Sequence, residues 1–324
     1  MPGISVVICT YNPNLYVLDW ALECLNQQTL PPTDFEVVVV DNNSPEPLQA
    51  EALKRGRPLN LRVVRESRHG VLFARCRGIA EAEAPLLVFA DDDNGLAANY
   101  LEEALRIARL EPSIGAFSGV TRLLTDVSIP AWKKGLLPFL GVRDYGPVPI
   151  TSTQPKWGEW EPIGAGMVFR REIGLKFIAF ANGDVRAQEL GRRGNSYICG
   201  EDSLLARVAC WNGYACSYQP SLALTHFIRR SRLSSRELAK TIEGCAQAWV
   251  INEHLCGRPQ PPVSPIGVLR ELWATLRHRT KQTGFRRGLL EWFWDVGQLR
   301  QARAYAKKAS ASGMRAEHSA DTGA

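Results

Sequence analysis

The sequence predicts an α/β protein in which a mostly parallel sheet is flanked by helices, followed by a helical extension at the C-terminus. Runs of β-branched and other apolar residues alternate with segments of helical periodicity, and short connections join them. Three of the apolar runs end in polar or acidic clusters, at the strand ends where open parallel sheets bind ligands. These observations predict both the architecture and the place of its site.

Each element of this alternation has its own signal. Continuous apolar runs indicate strands covered on both faces, and they span residues 4–9, 35–40, 61–64 and 86–90. Helical periodicity predicts helices over residues 16–25, 71–82 and 100–110, with a short helix ending at residue 53. Farther along the chain, the pattern predicts a helix over residues 201–209 and a last strand over 222–227.

The composition is that of a soluble globular protein. The chain has 324 residues, of which 45% are hydrophobic and 22% charged, enough for a large domain with an appendage. The net charge of +6 belongs to the segment from Ser264 onward, which carries 11 Lys and Arg against 5 Asp and Glu. The rest of the chain carries 28 of each sign, which argues against a nucleic-acid-binding core.

Cysteine usage and the absence of targeting patterns indicate the compartment. The eight cysteines form no C-x-x-C pair, and several lie in apolar runs typical of buried free thiols in a reducing compartment. The chain runs almost directly into a strand, without the pattern of a signal peptide, and no 18 apolar residues are consecutive. We therefore expect a cytoplasmic protein.

The strongest chemical signal is the acidic cluster Asp91–Asp92–Asp93 at the end of an apolar run. Adjacent carboxylates repel one another unless a positive charge neutralises them. A divalent cation does this, and oxygen ligands favour Mg²⁺ or Mn²⁺ shared with substrate phosphates. A solvated turn is the alternative, but the position after a buried strand favours a metal-diphosphate site.

The other polar candidates are ambiguous by themselves. Glu201 and Asp202 open a helix, where acids complement the helix dipole, yet one of them can serve as a general base for a hydroxyl group. Arg68 and Arg75 suit phosphate or base recognition, although surface arginines are common. His226 ends the last strand, and a lone histidine is structural more often than a ligand.

The order of the motifs resembles the family 2 glycosyltransferases, which have a GT-A fold. The resemblance covers residues 4–228 and rests on VVICTYN, VVVVDNNS, RHGVLFARCRGI, LLVFADDDN and GEDSLLARVACWNGY, in that order. Each motif is weak alone, whereas five in the expected order are specific. The resemblance implies an inverting glycosyltransferase that moves a sugar from a nucleotide-diphospho-sugar to a hydroxyl acceptor, in polysaccharide or glycolipid biosynthesis.

The resemblance also implies roles for individual residues. It assigns the nucleotide-sugar to Thr10, Tyr11, Asn12, Asp41, Arg75, Asp91 and Asp92, and the chemistry of Arg68 adds that residue to the same group. It assigns Mn²⁺ or Mg²⁺ to Asp93 foremost, with Asp91 and His226. It makes Asp202 the catalytic base beside Glu201. Apart from the resemblance, the apolar faces of Trp157 and Trp160 suit stacking on sugar rings, so we expect both, with Gly166, on the side of a saccharide or lipid-linked acceptor. Packing beneath the irregular loop over residues 130–162 is the alternative for the two tryptophans.

Two departures and two rivals qualify this interpretation. Cys76 stands where relatives carry Asn, and Asn12–Pro13 stands where many carry Arg or Lys, which leaves the donor open. A sugar nucleotidyltransferase shares the fold and the aspartates but needs a Gly-rich loop after the first strand, where Thr10–Tyr11–Asn12 stand instead. An inactive nucleotide-sugar-binding protein is the second rival, and the intact Asp202 argues against it.

We predict a catalytic domain over residues 1–230, divided into a nucleotide-sugar half (1–125) and an acceptor half (126–230). A helical region follows over 231–310, and a disordered tail over 311–324. Apolar residues recur at helical spacing over 268–276 and 289–299, with basic residues between them. Such helices bind the inner face of an anionic membrane as peripheral elements, or they pack on the catalytic domain or a second subunit.

Overall fold

The computed structural model describes residues 2–259 and 265–321; the side chains of residues 265–269 and 309–321 lie outside the described residues. The described strands form one nine-stranded sheet. They are β1 (Ile4–Thr10), β2 (Phe35–Asp41), β3 (Leu61–Arg65), β4 (Leu86–Asp91), β5 (Asn94–Leu96), β6 (Ile114–Leu124), β7 (Ile150–Ser152), β8 (Val168–Arg170) and β9 (Ala215–Phe227).

Helices cover the sheet and continue beyond it. They are α1 (Leu15–Asn26), α2 (Ala50–Lys54), α3 (Val71–Glu81), α4 (Tyr100–Leu110), α5 (Ala131–Lys134), α6 (Arg171–Gly183), α7 (Glu201–Trp211), α8 (Ser235–Leu255), α9 (Pro265–Thr283) and α10 (Phe285–Asp321). Three short 3₁₀ helices lie at Leu137–Leu140, Ala187–Glu189 and Arg230–Leu233. The predicted α/β architecture with a helical C-terminal extension is thus confirmed.

The sheet joins a parallel half to a mixed half. Its order is β3-β2-β1-β4-β8-β6-β9-β5, with β7 paired to β9. The first four strands are parallel, and β6 also runs parallel to β9 over the longest ladder. The antiparallel pairings are short, three residues or fewer each, and β8 uses two of them to connect β4 to β6. The sheet is therefore mostly parallel, as predicted.

The core lies in two layers because successive strand residues face opposite sides of the sheet. In β1, Ile4, Val6 and Ile8 are buried beneath α1 and α4. Val7 faces the opposite layer, where α3, α6 and α7 cover the sheet. This double coverage explains why the strands are continuous apolar runs rather than alternating ones.

The helical C-terminal region packs on the catalytic part of the chain. Leu290 of α10 is buried in a third apolar cluster with Leu140 and with Ile242 of α8, and Trp294 packs against that cluster. Trp292 Nε1 of α10 donates to the carbonyl of Leu272 in α9 at 2.8 Å. Of the placements predicted for the basic helices, packing on the catalytic domain is the one that α10 adopts.

Two long elements and one boundary were not predicted. Strand β6 escapes a search for apolar runs because Gly115, Ser118 and Gly119 interrupt it, and α6 carries Gly174 within its apolar face. The last helix continues to Asp321, past the bound of 310 predicted for the helical region and into the segment predicted to be disordered. Residues 322–324 lie outside the described residues.

Candidate active site

Three polar strand ends meet at one edge of the sheet, as the sequence predicts. Thr10 at the end of β1 is in register with Asp41 at the end of β2, and Cys9 is in register with Asp91 at the end of β4. The antiparallel β5–β9 ladder pairs Asn94 with His226. The backbone thus places the acidic cluster and His226 beside each other although 132 positions or so separate them in the chain.

Each aspartate of the acidic cluster faces a different partner. Asp91 Oδ1 lies 3.4 Å from Nη2 of Arg75. Asp92 accepts a hydrogen bond from the Thr10 hydroxyl. Asp93 Oδ1 lies 3.3 Å from Nε2 of His226. The three carboxylates therefore diverge from one turn into three environments, which reduces their mutual repulsion.

These environments shift the carboxylate pKa values in opposite directions. Burial, and after it the negative charge of Asp93, raises the pKa of Asp92 to about 6. Burial also opposes ionisation of Asp93, but the hydrogen bond and charge of His226, with the charge of Arg232, bring the pKa of Asp93 below its usual value. Asp93 is therefore ionised at neutral pH and suited to hold a cation.

Arg75 joins the acidic cluster to α7. Its guanidinium is buried, with Nη1 2.8 Å from Glu201 Oε1 and Nη2 near Asp91, and it stacks on the ring of Phe89. A Cβ at Gly164 would lie 2.2 Å from Arg75 Nη2, so only glycine permits this approach. The structure thus places Arg75 and Glu201 in a buried ion pair, which holds the start of α7 in position relative to the acidic cluster.

Asp202 follows at the first turn of α7 and is partly exposed. Its Oδ2 accepts a hydrogen bond from the backbone N–H of Gly164 at 2.7 Å, and its Oδ1 accepts one from Ser203 N–H at 2.9 Å. Each oxygen keeps a second lone pair. The carboxylate is therefore held in one orientation and can still accept a proton.

The ends of β1 and β2 build the side of the site predicted to hold the nucleotide. Asp41 is buried, and its carboxylate accepts backbone hydrogen bonds from Ser44 at 2.8 Å and Leu48 at 3.3 Å. Tyr11 is half-exposed and packs edge-on against His69. These contacts shape a loop that presents an aromatic ring to solvent at the strand ends.

Asn12 and Arg68 lie at the margin of the same loop. Asn12 adopts a left-handed backbone, and its N–H donates to the Ser44 hydroxyl at 2.9 Å. Arg68 is exposed, pairs with Glu66 and stacks over the ring of Phe73. Both residues border the nucleotide side rather than the acidic cluster.

The residues assigned to the acceptor separate into different environments. Trp157 is exposed, whereas Trp160 packs against the core beside α7, which is the packing alternative. Gly166 is buried with φ of +73°, and its carbonyl accepts a hydrogen bond from the Tyr100 hydroxyl. Of the three, only Trp157 offers a free aromatic face to a sugar.

The sequence analysis missed two residues that contact the predicted site. Arg232 lies 3.4 Å from Asp93 Oδ2, and His69 Nε2 lies 3.1 Å from the side-chain amide of Asn43. The basic cluster Arg229–Arg230–Arg232 directly after His226 is the signal that was available for the first. For His69, the available signal was its position between Arg68 and Arg75, which were both candidates for the site.

The metal donors expected from the sequence are only partly assembled. Within residues 2–259 and 270–308, no three His, Cys, Asp or Glu side chains converge to form a metal site. Asp93 and His226 form a pair of donors 3.3 Å apart, while Asp91 faces Arg75. One carboxylate and one imidazole fit a Mn²⁺ or Mg²⁺ ion whose remaining ligands come from a diphosphate and water.

Comparison with known proteins identifies the class. The protein-family model described as “Glycosyl transferase family 2” matches residues 5–173, about half of the chain. That stretch contains β1, β2, β4 and the acidic cluster. The chain belongs to glycosyltransferase family 2, which disfavours the nucleotidyltransferase and inactive-binder alternatives.

Individual relatives match over a shorter stretch. Validoxylamine A glucosyltransferase of Streptomyces hygroscopicus subsp. limoneus is 36% identical over 107 residues, 32% of this chain and 23% of that protein. Poly(ribitol-phosphate) β-N-acetylglucosaminyltransferase TarS of Staphylococcus aureus is 32% identical over 106 residues, 32% of this chain and 18% of that protein. The chain thus spans less than a quarter of the length of these curated relatives.

The solved structures extend the likeness in fold to the C-terminal region. The mannosyltransferase PcManGT of Pyrobaculum calidifontis, solved with GDP-Man and Mn²⁺, superposes with a TM-score of 0.57 at 20% identity. The match covers 98% of this chain and 80% of that one. The predicted GT-A fold is therefore confirmed.

Proposed function

We propose that the chain is an inverting, metal-dependent glycosyltransferase that uses a nucleotide-diphospho-sugar donor and a saccharide or lipid-linked hydroxyl acceptor. One observation carries the proposal. Arg75 pairs with Asp91, two residues before Asp93 of the Asp93–His226 pair, and with Glu201, directly before Asp202. A cation site and a candidate base are thus held in fixed relation on a family 2 scaffold.

The residues divide the reaction between them. Thr10, Tyr11 and Asp41 form the nucleotide side of the edge, and Asp92 is assigned to the ribose. Asp93 and His226 would hold Mn²⁺ or Mg²⁺, which supplies Lewis-acid stabilisation of a departing diphosphate. The GDP-Man and Mn²⁺ bound to PcManGT support a donor and ion of this kind.

Asp202 is the proposed base. As the acceptor hydroxyl oxygen forms its bond to the anomeric carbon, its proton passes to the Asp202 carboxylate and the bond from that carbon to the diphosphate oxygen breaks. The attack comes from the face opposite the leaving group, so one displacement inverts the anomeric configuration. The N–H groups of Gly164 and Ser203 keep the carboxylate aimed throughout.

The acceptor side is proposed from an exposed aromatic ring and an open cleft. Trp157 presents an exposed ring, and an open cleft of about 700 Å³ lies between residues 127–133 and 230–234. Its lining combines Val127 and Ile129 with Lys133 and Arg230. Such a mixture suits an acceptor that carries both apolar and anionic groups.

A peripheral membrane contact is proposed for α9 and the start of α10. Trp273 and Phe285 are exposed there, and the exposed Arg270, Arg277 and Lys281 lie at helical spacing from Trp273 along α9. Aromatic and basic side chains on one surface match the interface of an anionic bilayer. Within the described residues, no helix is long and apolar enough to cross a membrane.

The test of the proposed function is Asp202→Asn. We expect turnover to fall by about 10²–10⁴-fold, measured with UDP-, GDP- and dTDP-sugars and Mn²⁺, because the amide accepts no proton. Nucleotide affinity, measured by calorimetry, should be unchanged. Asp34→Asn, at the exposed opposite end of the sheet, is the matched control and should keep full turnover. Full turnover in Asp202→Asn would remove this residue as the base.

A further inference from the structure

A guanidinium group already lies at the pair of atoms proposed to hold the metal. Nη1 of Arg232 is 3.4 Å from Asp93 Oδ2 and 3.5 Å from His226 Nε2. The same carboxylate and imidazole lie 3.3 Å from each other. One cationic group of the chain therefore contacts both donors.

The segment that carries Arg232 is anchored directly after this residue. Leu233 is buried in the third apolar cluster, and its carbonyl accepts a hydrogen bond from Lys133 Nζ at 2.8 Å. Ser234 caps α8 by accepting a hydrogen bond from the N–H of Glu237. The backbone is thus fixed, while the long side chain of Arg232, 30% exposed, can rotate toward solvent.

The acidic partner of Arg232 is Asp93, whose Oδ2 lies within ion-pair distance of the guanidinium at 3.4 Å. Asp93 is therefore the anion that holds the guanidinium in place. A competing cation at Asp93 would remove that hold.

Metal and guanidinium cannot both occupy this position. An ion bound by carboxylate oxygen and imidazole nitrogen lies about 2.0–2.2 Å from each. Arg232 Nη1 lies within 3.5 Å of that nitrogen and of the second oxygen of that carboxylate, and two cations so close together repel strongly. Entry of the ion therefore requires the side chain of Arg232 to leave.

We propose that Arg232 is a displaceable internal counter-cation, which occupies the metal position in the empty enzyme and moves to the donor diphosphate when the ion binds. The proposal rests on the metal site of the proposed function. In the absence of the donor, Arg232 then opposes metal binding. When the donor is bound, its diphosphate is a second anion to which Arg232 can move, and Arg232 then favours metal binding. It is a positioning residue that couples ion and donor binding.

The test measures Mn²⁺ binding to the full chain by electron paramagnetic resonance of the free ion, without nucleotide. We expect Arg232→Gln to bind Mn²⁺ about tenfold more tightly than the wild type, because the competing cation is gone. Arg229→Gln is the matched control. Arg229 acts on Asp93 through its charge, and within the described residues no ion pair joins the two. It should change the affinity by less than about threefold.

A second pair of variants keeps the result interpretable. Arg232→Lys retains the charge on a compact group and should bind Mn²⁺ less tightly than Arg232→Gln. Asp93→Asn combined with Arg232→Gln should lose the gained affinity, and circular dichroism checks that each variant is folded. Unchanged Mn²⁺ affinity in Arg232→Gln, or an equal gain in Arg229→Gln, overturns the proposal.

The outcome is separable from that of the proposed function. Binding of Mn²⁺ is read without turnover, so loss of Asp202 as the base leaves it untouched. Mn²⁺ that still binds tightly to the double variant would show that Asp93 is not its ligand, and would overturn both the metal assignment and the role of Arg232. With Asp202→Asn still inactive in that case, the transferase assignment would stand.

Discussion

Buried charge at this site is concentrated in the guanidinium of Arg75 and the carboxylate of Glu201. Arg75 and Glu201 are each almost fully buried, and their ion pair has a separation of 2.8 Å. Burial raises the pKa of Glu201, and the charge of Arg75 opposes that shift. A buried pair of this kind is costly to break from one side, because the remaining charge is left without a partner. It is better explained as a device that fixes geometry than as a source of stability.

Asp92 gives a prediction for the pH dependence of stability. Its folded-state pKa of about 6 exceeds its ordinary value of 3.8, so between these values the folded chain binds a proton that the unfolded chain releases. Protonation of Asp92 therefore stabilises the folded state. This stabilisation is fully present below about pH 4 and is lost as the pH rises through about 6. We expect Asp92→Asn to gain stability relative to the wild type by about 1–3 kcal/mol from pH 4 to pH 7.

Urea unfolding at several pH values measures this difference. Asp34→Asn serves again as the control, because that carboxylate is exposed and should leave the pH profile parallel to the wild type. Asp93, whose pKa is lowered, changes stability in a more acidic range and is shared by all three proteins. Parallel profiles for Asp92→Asn and the wild type would contradict the raised pKa.

At the scale of elements, α8 determines where the segment preceding α7 lies. A Cβ at Gly244 would fall 2.1 Å from the Tyr197 carbonyl oxygen, so α8 approaches this segment through a glycine. Asn252 Nδ2 also donates to the carbonyl of Gly200, directly before Glu201. The C-terminal part of the chain therefore positions the helix that carries the proposed base.

Gly244→Ala tests this support. The added methyl group must push α8 and the 197–200 segment apart, so we expect a loss of about 1–3 kcal/mol in unfolding free energy and a lower kcat. Gly183→Ala, at the end of α6, is the matched control because a Cβ there has open space within 4 Å. It should be neutral or stabilising by up to about 1 kcal/mol. Equal stability of the two variants would contradict the close approach.

The elements that sequence predicted well share a physical cause. Strands β1, β2 and β4 are buried on both faces, so their apolar runs are uninterrupted, and the turn formers after them indicate their ends. Strand β6 lacks that signal because its glycines permit a bulged pairing with β9. The contact of Arg232 with Asp93 depends on how the chain folds back after β9, which local periodicity does not encode.

At the scale of the whole molecule, the C-terminal helices have one packed face and one exposed face. Trp294 packs against Phe139 and Trp249, so Trp294→Ala should cost about 1–3 kcal/mol of stability. Trp273 is 69% exposed, so Trp273→Ala should change stability by less than about 0.5 kcal/mol while weakening sedimentation with phosphatidylglycerol vesicles. Undiminished vesicle binding by Trp273→Ala would contradict the proposed membrane contact.

The whole-molecule assignment drew on the order of motifs rather than on any one of them. Five weak motifs predicted the family and the convergence of Thr10, Asp41 and Asp91, which the sheet register confirms. The roles of individual side chains stay predictions. Side-chain partners such as Arg75 with Glu201 arise from packing between distant segments, and the sequence carries no local mark of them.

The register of Asn94 with His226 has a consequence for how such enzymes diversify. Backbone ladders fix the strand ends proposed to bind the donor, whereas residues 125–149 and 153–167 are mostly irregular, and the first of these segments lines the open cleft. Insertions and exchanges in these loops can alter which acceptor is received without shifting a strand. Loop grafting between distant relatives is therefore the route by which we expect acceptor preference to be re-engineered.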